Sequence, residues 1–355
     1  MRIEIGSEFE ESENKLLKES TFDYWVKGND YKLTFSGRTS LDLILHDIGC
    51  YSTVYLPDYC CESMITPFID HGFDCKFYEV KFEENNVKLS IDSNIQNSVI
   101  LFMGYFGFSK LNDVNTTSKI QDQGNIIIYD ATHSFFSQTQ GVSADYTLAS
   151  LRKWLPIPSG GIAIKTKGLF KEDYTLNNSN EIVQTKIEAM RKKKDYLEGR
   201  NIEKGFLQDF KMFNEQLKNS YKNLDIDHHS EMILRSYDYK KMIDQRRINA
   251  EQLLYELDHK EVNVKVLTDS IGGNDVPLFL PIEVPNRESL RTYLIKEGIY
   301  LPVHWPTPNH PYFENVKKKI YRNELSIVCD QRYSCDDMRF LVQKVREYYK
   351  NGHIF

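Results

Sequence analysis

The chain has 355 residues, a net charge of −6 and a pI near 5.9; 41% of residues are hydrophobic and 27% charged. That length is too great for one small core and suggests two domains, and the absence of a basic excess argues against nucleic-acid binding. The N-terminal MRIEIGSEFEES has no apolar h-region and no apolar run approaches a membrane span, so a cytoplasmic protein without signal peptide or membrane partner is expected.

From about residue 38 helix-like and strand-like segments alternate. Thr39–Gly49 carries Leu41, Leu43, Ile44, Leu45 and Ile48 on a helix that stops at Gly49. A short run at Thr53–Leu56, a helix from near Cys61 and a strand at Lys76–Val80 follow. Val99–Met103 and Ile126–Ile128 are wholly apolar and bounded by polar residues, as strands buried on both faces are. The expected fold is α/β, a mostly parallel central sheet with helices on both faces. Charged helices are predicted over about 178–222, where Lys192–Lys194 reads as a solvated face, and another over Tyr239–Leu257; His228 and His229 read as a polar loop. Beyond it Val262–Leu267, Pro277–Val284, a helix at Arg287–Lys296 and a last one at Asp336–Tyr349 predict a smaller α+β domain. The boundary is placed near 240, giving domains 1–240 and 241–355, with the N-terminal segment able to pack on the smaller one. The six cysteines (50, 60, 61, 75, 329 and 335) form no C-x-x-C pair; they read as buried thiols, and no metal site is predicted.

Three segments carry chemistry. Ser36-Gly37-Arg38-Thr39 opens the first helix, and free N–H groups at a helix N-terminus bind anions. Asp130-Ala131-Thr132-His133 ends a strand, where open α/β sheets bind ligands. Ser150-Leu151-Arg152-Lys153 follows, then Gly160-Gly161. A lysine whose charge is suppressed by burial can attack an aldehyde cofactor, and pairing such a lysine with an aspartate suits pyridoxal 5′-phosphate (PLP).

In this order the motifs resemble PLP enzymes of fold type I (aspartate-aminotransferase-like), and among them the DegT/DnrJ/EryC1/StrS sugar aminotransferases, over roughly residues 30–350. The resemblance implies that Lys153 forms the Schiff base and shuttles protons. It gives Asp130 the pyridinium nitrogen, His133 the ring's phenolic oxygen, and Ser150, Gly37, Arg38 and Thr39 the phosphate. Tyr59, in Pro57–Cys61, stands where the family stacks a residue on the ring, and Tyr105 near the same pocket. His304 and Trp305, in Val303–Pro306, resemble a segment bordering the substrate channel. Arg332, in Asp330–Tyr333, is either a substrate-carboxylate clamp or part of a packed turn, with the packed turn favoured. The family's G-x-N-x-R stretch, which reaches the partner's phosphate, is not found; Lys192, Lys193, Lys194 and Arg200 are candidate replacements. The expected activity is transfer of an amino group from glutamate to a keto group of a nucleotide-linked sugar, in a homodimer with the active site at the interface. A decarboxylase, aldolase or dehydratase reaction on a small amino acid or amino ketone is the alternative, and a non-catalytic regulator a further one.

Overall fold

The computed structural model describes residues 4–12, 21–26, 28–112, 120, 123–137, 143–258, 263–316 and 318–350. A short strand, β1 (Ile5–Gly6), precedes helix α1 (Asp23–Val26). The main sheet comprises β2 (Asp30–Thr34), β3 (Thr53–Pro57), β4 (Asp74–Glu83), β5 (Asn86–Ser90), β6 (Val99–Met103), β7 (Ile126–Asp130), β8 (Tyr146–Ser150) and β9 (Gly161–Lys165). Their order across the sheet is β2-β9-β8-β7-β6-β3-β4-β5. The strands from β4 through β3, β6 and β7 to β8 are parallel; β5 and β9 run antiparallel to them at the two flanks, and the edge strand β2 pairs antiparallel with β9. Every residue of β6 is buried, which explains its unbroken Val-Ile-Leu-Phe-Met run: with both faces covered there is no polar face to alternate with.

Two helices shape the sheet's C-terminal edge. In α2 (Gly37–Ile48) the Ser36 side chain caps the Thr39 N–H, and Gly49 ends the helix at a φ of 85°. Helix α3 (Glu62–Asp70) starts after Cys61. The Gly160-Gly161 pair has a spatial reason: a Cβ on Gly161 would lie 2.2 Å from the Ser36 carbonyl oxygen. Glycine therefore lets β9 pass under the start of α2.

Helices α4 (Asn180–Leu197), α5 (Phe206–Asn219) and α6 (His228–Ser236) follow the sheet. Contrary to the loop expected there, His228 and His229 open α6, whose first turn Asp227 caps through the Ser230 N–H. Lys193 also departs from the solvated-face reading. It is buried, pairs with Glu4 and Glu10, and donates to the backbone oxygens of Gly6 and Glu8.

Helix α7 (Tyr239–Leu257) is followed by the C-terminal elements β10 (Lys265–Val266), β11 (Phe279–Glu283), α8 (Arg287–Lys296), β12 (Ile299–Tyr300), α9 (Pro311–Asn315), α10 (Lys319–Asn323), β13 (Glu324–Val328) and α11 (Cys335–Lys350), and packs on β11 and α11. Strands β10, β11 and β13 form a separate antiparallel sheet. Val262, the first residue of the expected Val262–Leu267 strand, lies outside the described residues, as do the extreme termini. The N-terminal strand β1 pairs in parallel with β12, so the chain's start lies against its C-terminal third. All six cysteines are free thiols, but only Cys60 and Cys329 are fully buried and Cys50 is exposed, which corrects the uniform burial expected. Among the described residues no helix is long and apolar enough to cross a membrane.

Candidate active site

The register of the parallel strands assembles the site. Asp130 ends β7 beside Met103 of β6 and Leu148 of β8. These three residues, with Ser150, line a cavity of about 290 Å³ at the C-terminal edge of the sheet. Ser36, Gly37 and Arg38 at the start of α2 form one wall, Cys61 and Met64 of the α3 region another, and Asn214 and Lys218 of α5 a third. A second cavity, about 500 Å³, lies on the side of the C-terminal elements; Ser150, Arg152, Lys153 and Asn214 line both. Lys153 thus stands between two chambers.

Burial lowers the pKa of Lys153, while Cys61 and Asp130 oppose the shift. Burial pushes Asp130 up, opposed by hydrogen bonding to Thr132 and by Lys153. Its Oδ1 accepts the Thr132 N–H at 2.8 Å. Lys153 Nζ lies 3.3 Å from His133 Nε2. His133 is fully buried and its Nδ1 has no hydrogen-bond partner. Burial, then Lys153 and His304, hold its pKa well below the usual imidazole value, so it is a neutral ring. Trp305 stacks on it at 5.3 Å.

The expected cofactor residues divide accordingly. Asp130, Lys153, Ser150, Gly37 and Arg38 come together around the smaller cavity, and His133 joins them through Lys153. Gly37 is pressed against Ser150: a Cβ there would meet the Ser150 Cβ at 3.2 Å and its N at 3.3 Å. Thr39 is a correction. Its hydroxyl donates to the Tyr221 carbonyl at 2.7 Å and its N–H to Ser36 Oγ, so Ser36 lines the cavity in its place. Tyr59 and Tyr105 are corrections too. They are buried core aromatics stacked on each other at 5.7 Å, and neither lines the cavity. The same segment presents Cys61 instead, two residues further on.

In the larger cavity His304 is a wall residue; Trp305 lines the smaller one. Arg332 lines the larger cavity, but all five of its N–H donors are committed. They serve Asp330 Oδ1 and Oδ2 at 2.9 Å, Glu10 Oε2 at 3.1 Å, and the backbone oxygens of Ser7 and Glu8 at 3.2 Å. No donor is left for a substrate carboxylate, so the clamp is overturned in favour of the packed turn. Among the candidate interface cations, Lys192 pairs with Asp209, Lys193 with Glu4 and Glu10, and Arg200 with Asp195 and Glu198.

Sequence reasoning missed Arg152, Asn214, Lys218, Arg246 and Arg291 as cavity residues. Arg152 is next to Lys153 and so was within reach of the motif; the helical residues carry no local signal.

The cavities fit PLP with an anionic substrate. Buried Nε atoms of Arg38 and Arg152 and the Nη2 of Arg246 have no hydrogen-bond partner, and an unpaired buried donor is costly unless a ligand accepts from it. The Ser36–Gly37 helix start, Ser150 and Arg38 form a cradle of the kind that holds a phosphate. Asp130 supplies a carboxylate and Lys153 an amine to the same cavity.

No protein-family model and no curated protein matches the chain. Solved structures match it throughout its length. DesV of S. venezuelae, in complex with a ketimine intermediate, superposes with a TM-score of 0.64 at 15% identity, covering 93% of this chain and 87% of DesV. PseC of Helicobacter pylori, an aminotransferase involved in the biosynthesis of pseudoaminic acid, gives 0.64 at 14%, covering 96% and 94%. A 3-amino-5-hydroxybenzoic acid synthase gives 0.62 at 14%, covering 94% and 90%. The chain therefore has the PLP fold-type-I architecture, the aspartate-aminotransferase-like α/β fold, and at these identities the likeness is one of fold.

Proposed function

We propose that the chain is a PLP-dependent aminotransferase with Lys153 as the cofactor lysine. The reading rests above all on one observation: Lys153 sits between a phosphate-type cradle that also holds Asp130 and a larger cavity rich in cations. When bound, PLP supplies an electron sink for the substrate's reacting carbon. Asp130 would face its ring nitrogen and keep it protonated. Ser36, Gly37, Arg38, Ser150 and Arg152 would hold its phosphate. His133, pinned by Trp305, orients Lys153 through Nε2. Lys153, with its pKa lowered by burial, would take and return the proton at the reacting carbon.

The unpartnered donor of Arg246, with Arg291 also lining the cavity, suits an anionic substrate. We take glutamate as amino donor and a nucleotide-linked keto-sugar, in surface-polysaccharide or secondary-metabolite biosynthesis, as acceptor. The resemblance of the motifs supports this choice, and with it we propose a homodimer, a cytoplasmic setting and a domain division near residue 240.

The test is direct. Protein incubated with PLP should gain a visible absorption band, lose it on borohydride treatment, and carry the reduced label on Lys153. Glutamate should then convert the cofactor to its amine form. Lys153→Ala should abolish trapping; label on another lysine, or no label on the wild type, would overturn the reading.

A further inference from the structure

Strand β13 reads Glu-Leu-Ser-Ile-Val and is buried throughout. A carboxylic acid in such a strand is costly unless its oxygens are fully bonded. Glu324 accepts the backbone N–H of His304 through Oε2 at 2.6 Å, and the Ser326 hydroxyl donates to Oε1 at 2.5 Å. Ser326 Oγ is in turn 2.8 Å from His304 Nδ1. His304 lines the larger cavity, and with Nδ1 committed to Ser326, Nε2 is the ring nitrogen left for it. Its ring centroid is 5.0 Å from that of His133, which contacts Lys153.

We propose that Glu324, Ser326 and His304 form a proton relay that stores a proton on the buried carboxyl and delivers it to substrate at His304 Nε2. The relay has two states. With Glu324 protonated, its O–H donates to Ser326, Ser326 donates to His304 Nδ1, and Nε2 carries the hydrogen facing the cavity. When Nε2 gives up that proton, Nδ1 takes the Ser326 proton and Ser326 takes that of Glu324. Glu324 is then a carboxylate and Nε2 an acceptor. One proton has moved from Glu324 to substrate, and every intermediate group ends neutral.

The electrostatics are consistent. Burial raises Glu324 to about 8, against lowering by Ser326, the His304 N–H and Arg287. Burial, then Lys153, holds His304 well below the usual imidazole range, so the ring changes tautomer without becoming charged. The groups facing the relay are Arg287 of α8, which donates to the Glu324 carbonyl; Tyr59, which donates to the His304 carbonyl; Lys153; and His133. If glutamine stood at 324 the backbone contact could persist, but there would be no proton to store.

In the catalytic role this rests on the aminotransferase reading. When a ketone is aminated its oxygen leaves as water. One proton must reach that oxygen as the C–O bond breaks, and one must leave the incoming amine nitrogen. His304 Nε2–H supplies the first, and the relay is recharged by taking up the second. His304 is the catalytic residue; Ser326 and Glu324 are positioning and storage residues.

The relay itself is tested without cofactor. In protein with 15N-labelled histidine, the imidazole nitrogens of His304 report the tautomer. Nε2–H should prevail at about pH 6 and Nδ1–H at about pH 10, with the change centred where Glu324 titrates, about pH 8. Ser326→Ala and Glu324→Gln should each abolish the pH-dependent exchange. A wild-type ring that keeps one tautomer throughout, or an exchange that survives in both variants, overturns the relay even if Lys153 traps PLP. In the loaded enzyme Ser326→Ala should slow acceptor amination by about 10²-fold, the usual weight of general acid–base catalysis, and flatten the alkaline limb of its pH profile. An unchanged rate and profile would remove the catalytic role.

Discussion

At the scale of single residues the decisive feature is the protonation of buried acids. Glu324 has an ordinary value of 4.5, raised to about 8 in the folded chain by burial. Between those values the folded protein holds a proton that the unfolded chain has released. A raised carboxyl contributes stability that is complete below about 4.5 and lost as pH rises through about 8. Unfolding free energy from denaturant titrations should therefore decline from mildly acidic to mildly alkaline pH, by at most on the order of a few kcal/mol. Glu324→Gln should remove that component of the slope. An identical slope in the variant would place the titration elsewhere. Glu8 has the opposite sign. Burial raises it, but Lys186, with its ion pair at 2.7 Å, brings it down to about 2, so its contribution is lost on acidification.

At the scale of elements, the N-terminal segment is a strap held from both sides. Strand β1 pairs with β12, Lys186 and Lys193 of α4 reach up to Glu8, Glu4 and Glu10, and Arg332 binds from the C-terminal side. Arg332 also lies over the ring of Phe9 at 4.3 Å. The planar five-donor fork is what allows one side chain to bind Asp330 twice and the strap three times; lysine has three donors on one point. Arg332→Lys should destabilise the protein by about 1–3 kcal/mol, the cost of leaving buried acceptors unsatisfied. It should also speed hydrogen exchange in residues 4–10. If the variant kept full stability and protection but lost only its reaction with glutamate, Arg332 would be a substrate clamp after all.

At the scale of the molecule, the legible parts of the site are those written in contiguous stretches. Asp130 and Ser150 end adjacent strands, and Lys153 follows at once, so sequence spacing becomes spatial proximity with little freedom. The helix expected near Arg287–Lys296 was legible, and the structure forms it over those residues. Tyr59 failed because the turn after β3 directs Cys61 to the cavity, a matter of two residues that periodicity does not resolve. Lys193 failed for another reason: its partners lie more than 180 residues away, on the strap, and no local pattern encodes that; the packed turn favoured for Arg332 holds through its neighbour Asp330, while its contacts to the strap were not legible. The Glu in Glu-Leu-Ser-Ile-Val did leave a signal, a lone acid in an apolar strand, but its meaning needed His304 beside it.

The same long-range view bears on assembly. Lys192, Lys193 and Arg200, considered for reaching a partner's phosphate, are tied within their own chain, while Arg38, Arg152 and Lys218 line the smaller cavity in cis. Ile202, Leu207 and Met212, in and before α5, leave apolar side chains exposed. The expected homodimer should then serve the substrate side of the site more than the cofactor phosphate. Sedimentation should show a dimer, as for most soluble homo-oligomers. On dilution to monomer, PLP should still stabilise the fold, by about 2.7 kcal/mol at a hundred times its dissociation constant, and should still be trapped on Lys153. Amination activity should fall with the dimer. If trapping and stabilisation vanish together with the dimer, a partner residue completes the phosphate cradle; Arg38→Ala would then weaken PLP binding far less than the about tenfold or more expected from losing a charge-assisted bond worth roughly 1.5–3 kcal/mol.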